Sequence, residues 1–454
     1  MTDFRASAEP VPLTGVDQLV AQLHEAGKPR ERWMIGAEYE KVAVERTTGR
    51  AAPFSGARGV EALLRGLAER FGWEPGWEDG RTVALARGGA SITLEPGAQI
   101  ELSGAQFRTL HEARRELEAH VREILTVGSD LGIAFLGLGM QPVSRVEDIE
   151  WVPKHRYGIM GPYMARVGRL GHRMMKQTAT VQANIDYADE RDAMRKLRVG
   201  MGIAPLVNAM FANSPVSDGD LNGFRSFRGH VWTDTDPARC GLLPFVFRDG
   251  AGFADYVEWA LDVPLYFLLR DGRYVTEVTG TPFRTLLSSG RATLDDWQLH
   301  LTTLFPEVRL KRYIELRSAD SQPLERLLAL PALVKGIFYD ADCLEAAHDL
   351  VKRWSFEDTV ALYREVVRHA LAARLRRVAV LDYARELHAI AREGLRRQHA
   401  LDERGDDERT YLACLEEELA RGEAPADVIA TKWAREWEWD RRVERLIAFT
   451  EYRA

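Results

Sequence analysis

Ile35-Gly36-Ala37-Glu38-Tyr39-Glu40-Lys41-Val42 is a stretch of strand-forming residues with an acidic face. In a β-strand, residues two apart point to the same side, so Glu38 and Glu40 project together. Two like charges at this spacing repel each other unless a cation lies between them. The stretch therefore predicts a strand in a sheet that uses its acidic face to hold positive charge.

Three further runs alternate polar and apolar residues with the same period of two, which is typical of strands. The polar face of the first is Ser91, Thr93 and Glu95, then, after a break at Pro96-Gly97, Gln99, Glu101 and Ser103. The polar face of the second is Thr178, Thr180, Gln182, Asn184 and Asp186. The polar face of the third is Arg309, Lys311, Tyr313, Glu315 and Arg317.

The polar faces of these four runs favour a binding site over a solvated surface. One alternating strand is usually the wet side of an antiparallel sheet. Four such runs together indicate a binding site. Two of them carry closely spaced glutamates, and another carries a glutamate beside lysine and arginine. Oxygen ligands without histidine or cysteine suit a hard cation, Mg²⁺ or Mn²⁺. Basic residues on the same surface suit the phosphates that such ions accompany, and there is no Walker A sequence.

Composition and charge exclude several classes of protein. The chain has 454 residues, 46% hydrophobic and 28% charged, which is typical of a globular enzyme. Its formal net charge of −7 gives no excess of positive charge for binding nucleic acid or an anionic membrane. Cys240, Cys343 and Cys414 stand in unrelated contexts, which fits a reducing compartment. With no apolar span or signal peptide apparent, we expect a cytoplasmic protein, taken as a monomer.

The chain divides into two parts by pattern. Residues 145–171 are rich in glycine, proline and aromatics with weak periodicity, which predicts a long irregular segment. From about Ala341 the pattern becomes helical and heavily charged, with one amphipathic helix marked by apolar residues from Leu371 to Ile390. We expect a catalytic domain over 1–340 and a helical region over 341–454 packed on it. An interaction module is the alternative for the second part.

At these residues the sequence resembles the plant-type glutamate–cysteine ligases, a family shared by plants and many proteobacteria. The resemblance covers roughly Trp33 to Tyr339 strongly and the C-terminal helices weakly. The matching motifs are IGAEYEKVAVE (from Ile35), SITLEPGAQIELSGA (from Ser91), PKHRYGIM (from Pro153), TATVQANIDY (from Thr178), FANSPVSDG (from Phe211), NGFRSFRGHVWTDTD (from Asn222), LLPFVF (from Leu242), ALDVPLYFLLR (from Ala260) and DDWQLHLTTLFPEVRLKRYIELRSAD (from Asp295).

The resemblance implies an α+β fold of the glutamine-synthetase type. In that fold an antiparallel sheet forms an open funnel, helices cover its outer side, and a helical C-terminal region follows. The implied reaction joins the γ-carboxyl of L-glutamate to the amine of L-cysteine through a γ-glutamyl phosphate, as the first step of glutathione synthesis. ATP is the co-substrate, Mg²⁺ or Mn²⁺ the cofactor, and glutamate and cysteine are the other small-molecule partners.

The resemblance also implies roles for individual residues. The expected metal ligands are Glu38, Glu40, Glu101 and Glu315. The expected catalytic cations are Arg317, Arg228 and Lys311. The expected substrate-binding residues are Arg228, Trp232, Tyr266, Gln182 and Asn184. The segment holding Lys154, Arg156 and Tyr157 is expected to form a loop over the site.

Alternatives stay open for some of these roles. Arg317 could instead form a structural ion pair with Glu315, and core packing is an equal alternative for Trp232 and Tyr266. The activity could be that of a related carboxylate–amine ligase with another amine acceptor, or the chain could be a non-catalytic nucleotide- or metal-binding protein on the same fold. Plant members carry a disulfide flanking the segment that matches 276–293. This chain has no cysteine there, so we expect no such redox switch.

Overall fold

The computed structural model describes residues 11–376 and 378–453. The strands are β1 (Ile35–Glu45), β2 (Glu74–Glu78), β3 (Arg81–Arg87), β4 (Ala90–Leu94), β5 (Ile100–Ser103), β6 (Ile133–Leu136), β7 (Thr180–Ile185), β8 (Val216–Ser217), β9 (Asp220–Leu221), β10 (Cys240–Gly241), β11 (Leu268–Arg270), β12 (Arg273–Val275), β13 (Phe305–Pro306), β14 (Val308–Leu310), β15 (Ile314–Asp320), β16 (Arg374–Leu375) and β17 (Val378–Ala379).

The helices are numbered in the same way along the chain. They are α1 (Val16–Glu25), α2 (Val60–Phe71), α3 (Leu110–Leu131), α4 (His155–Val167), α5 (Gly171–Gln177), α6 (Glu190–Met210), α7 (Phe227–Trp232), α8 (Phe253–Asp262), α9 (Phe283–Ser288), α10 (Leu294–Thr302), α11 (Ala329–Phe338), α12 (Ala341–Val351), α13 (Phe356–His369), α14 (Val380–Gln398), α15 (Ala413–Arg421), α16 (Pro425–Thr431) and α17 (Arg442–Thr450).

Within the described residues, nine strands form one large sheet, which organises the molecule. Eight follow the order β14-β15-β7-β1-β5-β4-β3-β2, and β6 pairs with the second half of β1. Neighbouring strands in this sheet run antiparallel. The alternation seen in the sequence leaves Val181, Ala183 and Ile185 of β7 buried in the core. Helices α6 and α11 contact β15 and β7, so they cover the sheet on its outer side.

The fourth alternating run is a hairpin, not a single strand as the pattern predicted. The chain turns at residues 311–313, between β14 and β15, and the backbone N–H of Lys311 donates to the carbonyl of Tyr313 at 2.8 Å. Arg309 and Glu315 are therefore direct cross-strand partners. Directly opposite residues in an antiparallel pair lie on one face, so the turn keeps the polar face intact.

The segment predicted to be irregular contains a regular helix, α4. Its buried residues Tyr157, Met160 and Met164 have helical spacing. Pro162 lies inside the helix and interrupts the sequence signal, because proline is normally a helix breaker. The residues expected in a loop over the site thus lie at the start of a helix.

The C-terminal helices pack on the rest of the chain through one continuous hydrophobic core, which includes Leu333 and Leu387. The helix predicted from Leu371 begins only at Val380, because a 3₁₀ turn and the short hairpin of β16 and β17 precede it. The final residues return to the sheet, where the backbone N–H of Tyr452 donates to the carbonyl of Phe135 at 2.8 Å. In the described part of the chain, no helix has the length and apolarity required to cross a membrane.

Candidate active site

The register of the central strands brings the predicted polar faces together. Glu38 of β1 lies opposite Ser103 of β5 on one side and Gln182 of β7 on the other. Glu40 lies opposite Glu101. Because paired residues point to the same face, these side chains from three strands form one polar surface.

This surface forms the floor of a cavity of about 810 Å³. Helices α4, α5 and α7 supply parts of the wall. The cavity is lined by Glu38, Glu40, Glu95, Pro96, Glu101, Tyr157, Met160, Met174, Met175, Thr178, Thr180, Gln182, Arg228, Trp232, Thr302, Phe305, Arg309, Lys311 and Arg317.

Three carboxylates meet at one end of the cavity. Glu40, Glu95 and Glu101 each place an oxygen within 4.8 Å of the other two. Glu40 and Glu101 are almost fully buried, and the backbone N–H of Thr180 donates to Glu40 Oε2 at 2.9 Å. Burial, followed by the charges of Glu95 and Glu101, raises the pKa of Glu40 well above its usual value. This set of oxygen donors fits a hard divalent cation such as Mg²⁺ or Mn²⁺.

Glu38 lies beside this cluster but is not part of it. Its Oε1 accepts a hydrogen bond from Asn184 Nδ2 at 3.2 Å. Burial, followed by the charges of Glu315 and Glu101, raises the pKa of Glu38 to about 7. Asn184 does not line the cavity, and its role is to hold Glu38 from the neighbouring strand.

Glu315 is fully buried among three cations. Arg309 Nε donates to Glu315 Oε2, and the same oxygen lies 3.5 Å from Arg317 Nη1 and 3.8 Å from Lys311 Nζ. Burial opposes ionisation, but these positive charges hold the pKa of Glu315 well below its usual range. Among the described residues, nothing hydrogen-bonds to Glu315 Oε1.

The cations form the other end of the cavity. Arg317 Nη1 donates to Gln182 Oε1 at 2.6 Å, and Arg228 Nη2 donates to the carbonyl of Arg317 at 3.0 Å. The Arg317 guanidinium lies 5.7 Å from the ring centroid of Trp232. Burial, followed by the charge of Arg309, lowers the pKa of Lys311 to about 8. The cavity thus has an acidic end and a basic end.

The two aromatic residues predicted to bind substrate lie in different places. Trp232 lines the cavity, and its buried Nε1 has no partner among the described residues. Tyr266 does not line it. Its ring lies 3.8 Å from the Arg239 guanidinium, and its hydroxyl lies 3.6 Å from Met164 Sδ, with 1% of the residue exposed. The structure therefore places Tyr266 in core packing, which was the alternative for this residue.

Two of the predicted loop residues support a strand of the floor. Lys154 Nζ and the Tyr157 hydroxyl both donate to the carbonyl of Leu94, at 3.2 Å and 2.7 Å. Leu94 directly precedes Glu95, so these contacts fix the end of β4 at the acidic cluster. Arg156 is buried, and its Nε and Nη2 are without hydrogen-bond partners in the described residues.

No role was predicted from the sequence for Glu95, Arg309 or the methionines that line the cavity. Glu95 continues the alternation of Ser91 and Thr93, so the pattern held a signal for it. Arg309 shares the polar face of its hairpin, and its Nη1 also donates to the carbonyls of Thr302 and Leu304. Met160, Met174 and Met175 carry no sequence signal that separates them from core residues.

Comparisons with known proteins identify the family of this chain. The model of the family described as Glutamate-cysteine ligase family 2 (GCS2) matches residues 34–448. Glutamate–cysteine ligase B, chloroplastic, of Oryza sativa subsp. japonica is 43% identical over 435 residues, covering 93% of this chain and 86% of the relative. The chloroplastic enzyme of Arabidopsis thaliana is 42% identical over 433 residues, covering 94% and 81%.

A solved structure shows the same fold. The glutamate–cysteine ligase of Francisella tularensis in complex with AMP superposes with a TM-score of 0.53 at 13% identity. The match covers 92% of this chain and 88% of that one. The likeness confirms the predicted α+β fold of the glutamine-synthetase type. From the family match over 34–448 and the plant relatives at 42–43% identity, the chain belongs to the glutamate–cysteine ligase family 2.

Proposed function

We propose that this protein joins the γ-carboxyl of L-glutamate to the amine of L-cysteine, using ATP. The observation that carries the proposal is the cavity with a carboxylate cluster at one end and arginines at the other. Similarity to named glutamate–cysteine ligases over more than nine tenths of the chain supports the choice of substrates. The alternative with another amine shares the same phosphorylation step and differs only in the acceptor.

The reaction requires both ends of the cavity. A carboxylate at neutral pH is not an electrophile, so ATP first transfers its γ-phosphoryl group to the glutamate γ-carboxyl, and ADP leaves. The amine of cysteine then attacks the acyl carbon of γ-glutamyl phosphate, the C–O bond to phosphate breaks, and the departing phosphate takes the proton that the amine loses. Phosphoryl transfer of this kind depends mainly on positioning and charge neutralisation.

The basic end is suited to the phosphoryl group. Arg317 and Arg228 present guanidinium groups, which match the planar, bidentate geometry of phosphate and carboxylate oxygens. Gln182 holds Arg317 in place, and the Arg317 carbonyl in turn accepts from Arg228. Lys311 has a pKa lowered to about 8, so it adds positive charge at neutral pH. These groups stabilise charge that develops on the transferring oxygens.

The acidic end is suited to a divalent cation. Glu40, Glu95 and Glu101 would hold Mg²⁺ or Mn²⁺, with Glu38 as a further ligand in this proposal. Glu315, the fourth ligand expected from the sequence, lies outside this cluster and is paired with Arg309. Such an ion, when bound, neutralises phosphate charge and helps to orient the nucleotide. Without it, burial and then the charges of Glu95 and Glu101 raise the pKa of Glu40.

The proposal extends to organisation and setting. We place the catalytic cavity in residues 1–340 and give residues 341–454 the role of a helical cover on the outer side. We place the protein in the cytoplasm, as a monomer. The support is that its three cysteines are free in the described chain, as expected in a reducing compartment.

Phosphate release by the purified protein with ATP, Mg²⁺ and glutamate, across a panel of amines, tests the proposal. Cysteine should give the highest rate, and 2-aminobutyrate a lower one because it lacks only the thiol. Arg317→Gln should remove activity, whereas Arg312→Gln, an exposed arginine of the same hairpin turn, should not. Equal rates with several unrelated amines would favour the broader carboxylate–amine ligase, and no release with any amine would refute catalysis.

A further inference from the structure

A second large cleft lies on the outer side of the molecule, away from the catalytic cavity. Its volume is about 1,690 Å³, and it shares no lining residue with the cavity. Residues of α6 form one side, and the chain between α12 and α13 forms another. The cationic lining residues are Arg191, Arg195, Arg198, Arg248, Lys352 and Arg353.

Helix α6 concentrates three of these charges. Arg191, Arg195 and Arg198 are spaced by four and by three residues, so they lie on one face of the helix. Like charges at this spacing destabilise each other. Burial, followed by the charge of Arg195, lowers the pKa of Arg198. The helix face therefore carries positive charge that its own neighbours do not relieve.

Some of the cleft cations have carboxylate partners at the surface. Arg195 Nε lies 3.1 Å from Glu345 Oε1, and Lys352 Nζ lies 2.7 Å from Asp349 Oδ1. Arg248 pairs in the same way with Asp255. Solvent-exposed pairs of this kind are worth little, so they do not close the cleft to another anion.

The other three cations have no carboxylate partner among the described residues. They are Arg191, Arg198 and Arg353. Arg198 Nη2 donates to the carbonyls of Val351 and Trp354, at 3.3 Å and 3.1 Å. Its Nη1 is buried and without a hydrogen-bond partner in the described chain.

The Arg198 guanidinium is held in place before any ligand arrives. It lies 4.4 Å from the ring centroid of Phe247, and the two carbonyls fix its other edge. Because Nη2 is used by these carbonyls and Nη1 is buried, Arg198 contributes a fixed positive charge beside the cleft, and direct contact with an anion falls to exposed Arg191 and Arg353. Helix α13 begins just after lining residue Ser355, but Ser355 and Asp358 already cap its N-terminus, so the helix end adds nothing to the site.

Two carboxylates also line the cleft, Glu190 and Asp249. Glu190 Oε1 is occupied, since it accepts from the backbone N–H of Phe253 at 2.6 Å. It therefore caps the start of α8 and does not neutralise Arg198. The positive side of the cleft remains the one formed by α6 and the segment before α13.

We propose that this cleft binds a small multivalent oxyanion of the phosphate class, at a site separate from the catalytic cavity. Arg198, Arg191 and Arg353 supply the charges that no carboxylate of the described chain satisfies. The proposal does not depend on the reaction performed in the cavity.

Inorganic pyrophosphate, titrated into the full-length protein without magnesium and followed by calorimetry, tests the proposal. Arg191→Gln combined with Arg353→Gln removes two exposed cations that support no described contact, so folding should be unaffected. This double variant should weaken binding by about tenfold or more and leave turnover unchanged. The matched control combines Arg65→Gln with Arg122→Gln, two exposed arginines without ion pairs in the described chain, and should bind as the wild type does.

Arg317→Gln separates this site from the cavity. Binding that survives Arg317→Gln and is lost in the Arg191 and Arg353 double variant supports the proposal. Binding lost in Arg317→Gln but retained in the double variant overturns it, because the anion would then occupy the cavity. Absence of saturable binding up to about 10 mM also overturns it.

Discussion

Buried charges face like charges in the catalytic cavity, whereas beneath the C-terminal helices they are paired with opposite charges. In the cavity, Glu40, Glu95 and Glu101 face one another. Under the C-terminal region, Lys335 Nζ lies 2.6 Å from Glu408 Oε2. Glu408 Oε1 also accepts from the backbone N–H of Leu110, so this pair is compensated on both sides.

The contrast shows how one residue type serves two purposes. A buried charge whose hydrogen bonds and partner are all present contributes to one well-defined structure, whereas a buried charge facing like charge costs free energy. The second arrangement persists where a ligand supplies the missing charge. Trp232 Nε1 in the cavity and Glu315 Oε1 behind it also have no hydrogen-bond partner among the described residues. The two regions should therefore respond in opposite ways to loss of charge.

The largest effect is expected at the acidic cluster. Glu40→Gln and Glu95→Gln keep side-chain size but each removes an anionic oxygen, which should lower turnover on the order of a hundredfold or more. Stability without magnesium should stay equal or rise, because the raised pKa of Glu40 means that its ionised form is disfavoured in the folded state. Turnover and thermal unfolding, each with and without magnesium, measure the split.

Exposed Glu69 supplies the control for this pair, since Glu69→Gln should change neither quantity. If both cluster variants turn over normally at limiting magnesium, the cation lies elsewhere and the contrast between the regions disappears. If Glu40→Gln alone is inactive, Glu95 is only a neighbour of the site.

The buried pair under the C-terminal helices should show the reverse. Lys335→Met leaves Glu408 as an uncompensated buried charge, which should cost about 3–5 kcal/mol of stability. Turnover per folded molecule should stay close to that of the wild type. Denaturant unfolding combined with an activity assay below the transition measures both quantities.

The exposed pair of Lys352 and Asp349 is the control, because Lys352→Met should cost at most about 1 kcal/mol. Adding Glu408→Met to Lys335→Met should recover only part of the loss, because the backbone N–H of Leu110 then loses its acceptor. A Lys335→Met protein that is fully stable but inactive would place this pair in the catalytic machinery.

The sequence alone predicted which face each strand presents, because side-chain direction has a period of two. Glu38 and Glu40 lie together as that rule requires. The rule does not say which distant strands pair with each other. The pairing of Glu40 with Glu101 and of Glu38 with Gln182 is seen only in the register of the sheet. The expectation that these strands form one sheet therefore rested on the family resemblance and not on the residue pattern.

There are also physical reasons why the sequence did not reveal the role or position of some residues. Glu95 lies on the polar face that the alternation predicts, but the alternation does not distinguish a residue of the acidic cluster from any other polar residue on that face. Tyr266 lies in an apolar segment where a cavity wall and a core look alike in sequence. Met160 belongs to a helix whose periodicity is interrupted by Pro162.

The smallest effect is expected from reductant, which should change neither activity nor mobility on a non-reducing gel. The cysteines are free in the described chain, and none lines the cavity. Burial, followed by the charge of Asp236, raises the pKa of Cys240 to about 12, and burial with a hydrogen bond to Asp340 does the same for Cys343. Both thiols are protonated at neutral pH, and a protonated thiol is a poor nucleophile.

Cys240 makes this absence of effect informative. It pairs with Phe305, which lines the cavity, so any oxidation there would reach the site through one strand contact. Activity with and without dithiothreitol should match, and Cys240→Ser should keep both values. A reductant-dependent rate that Cys240→Ser abolishes would mean that the thiol of this half-buried residue opens to solvent. The cavity would then depend on a mobile strand as well as on its unsatisfied charges.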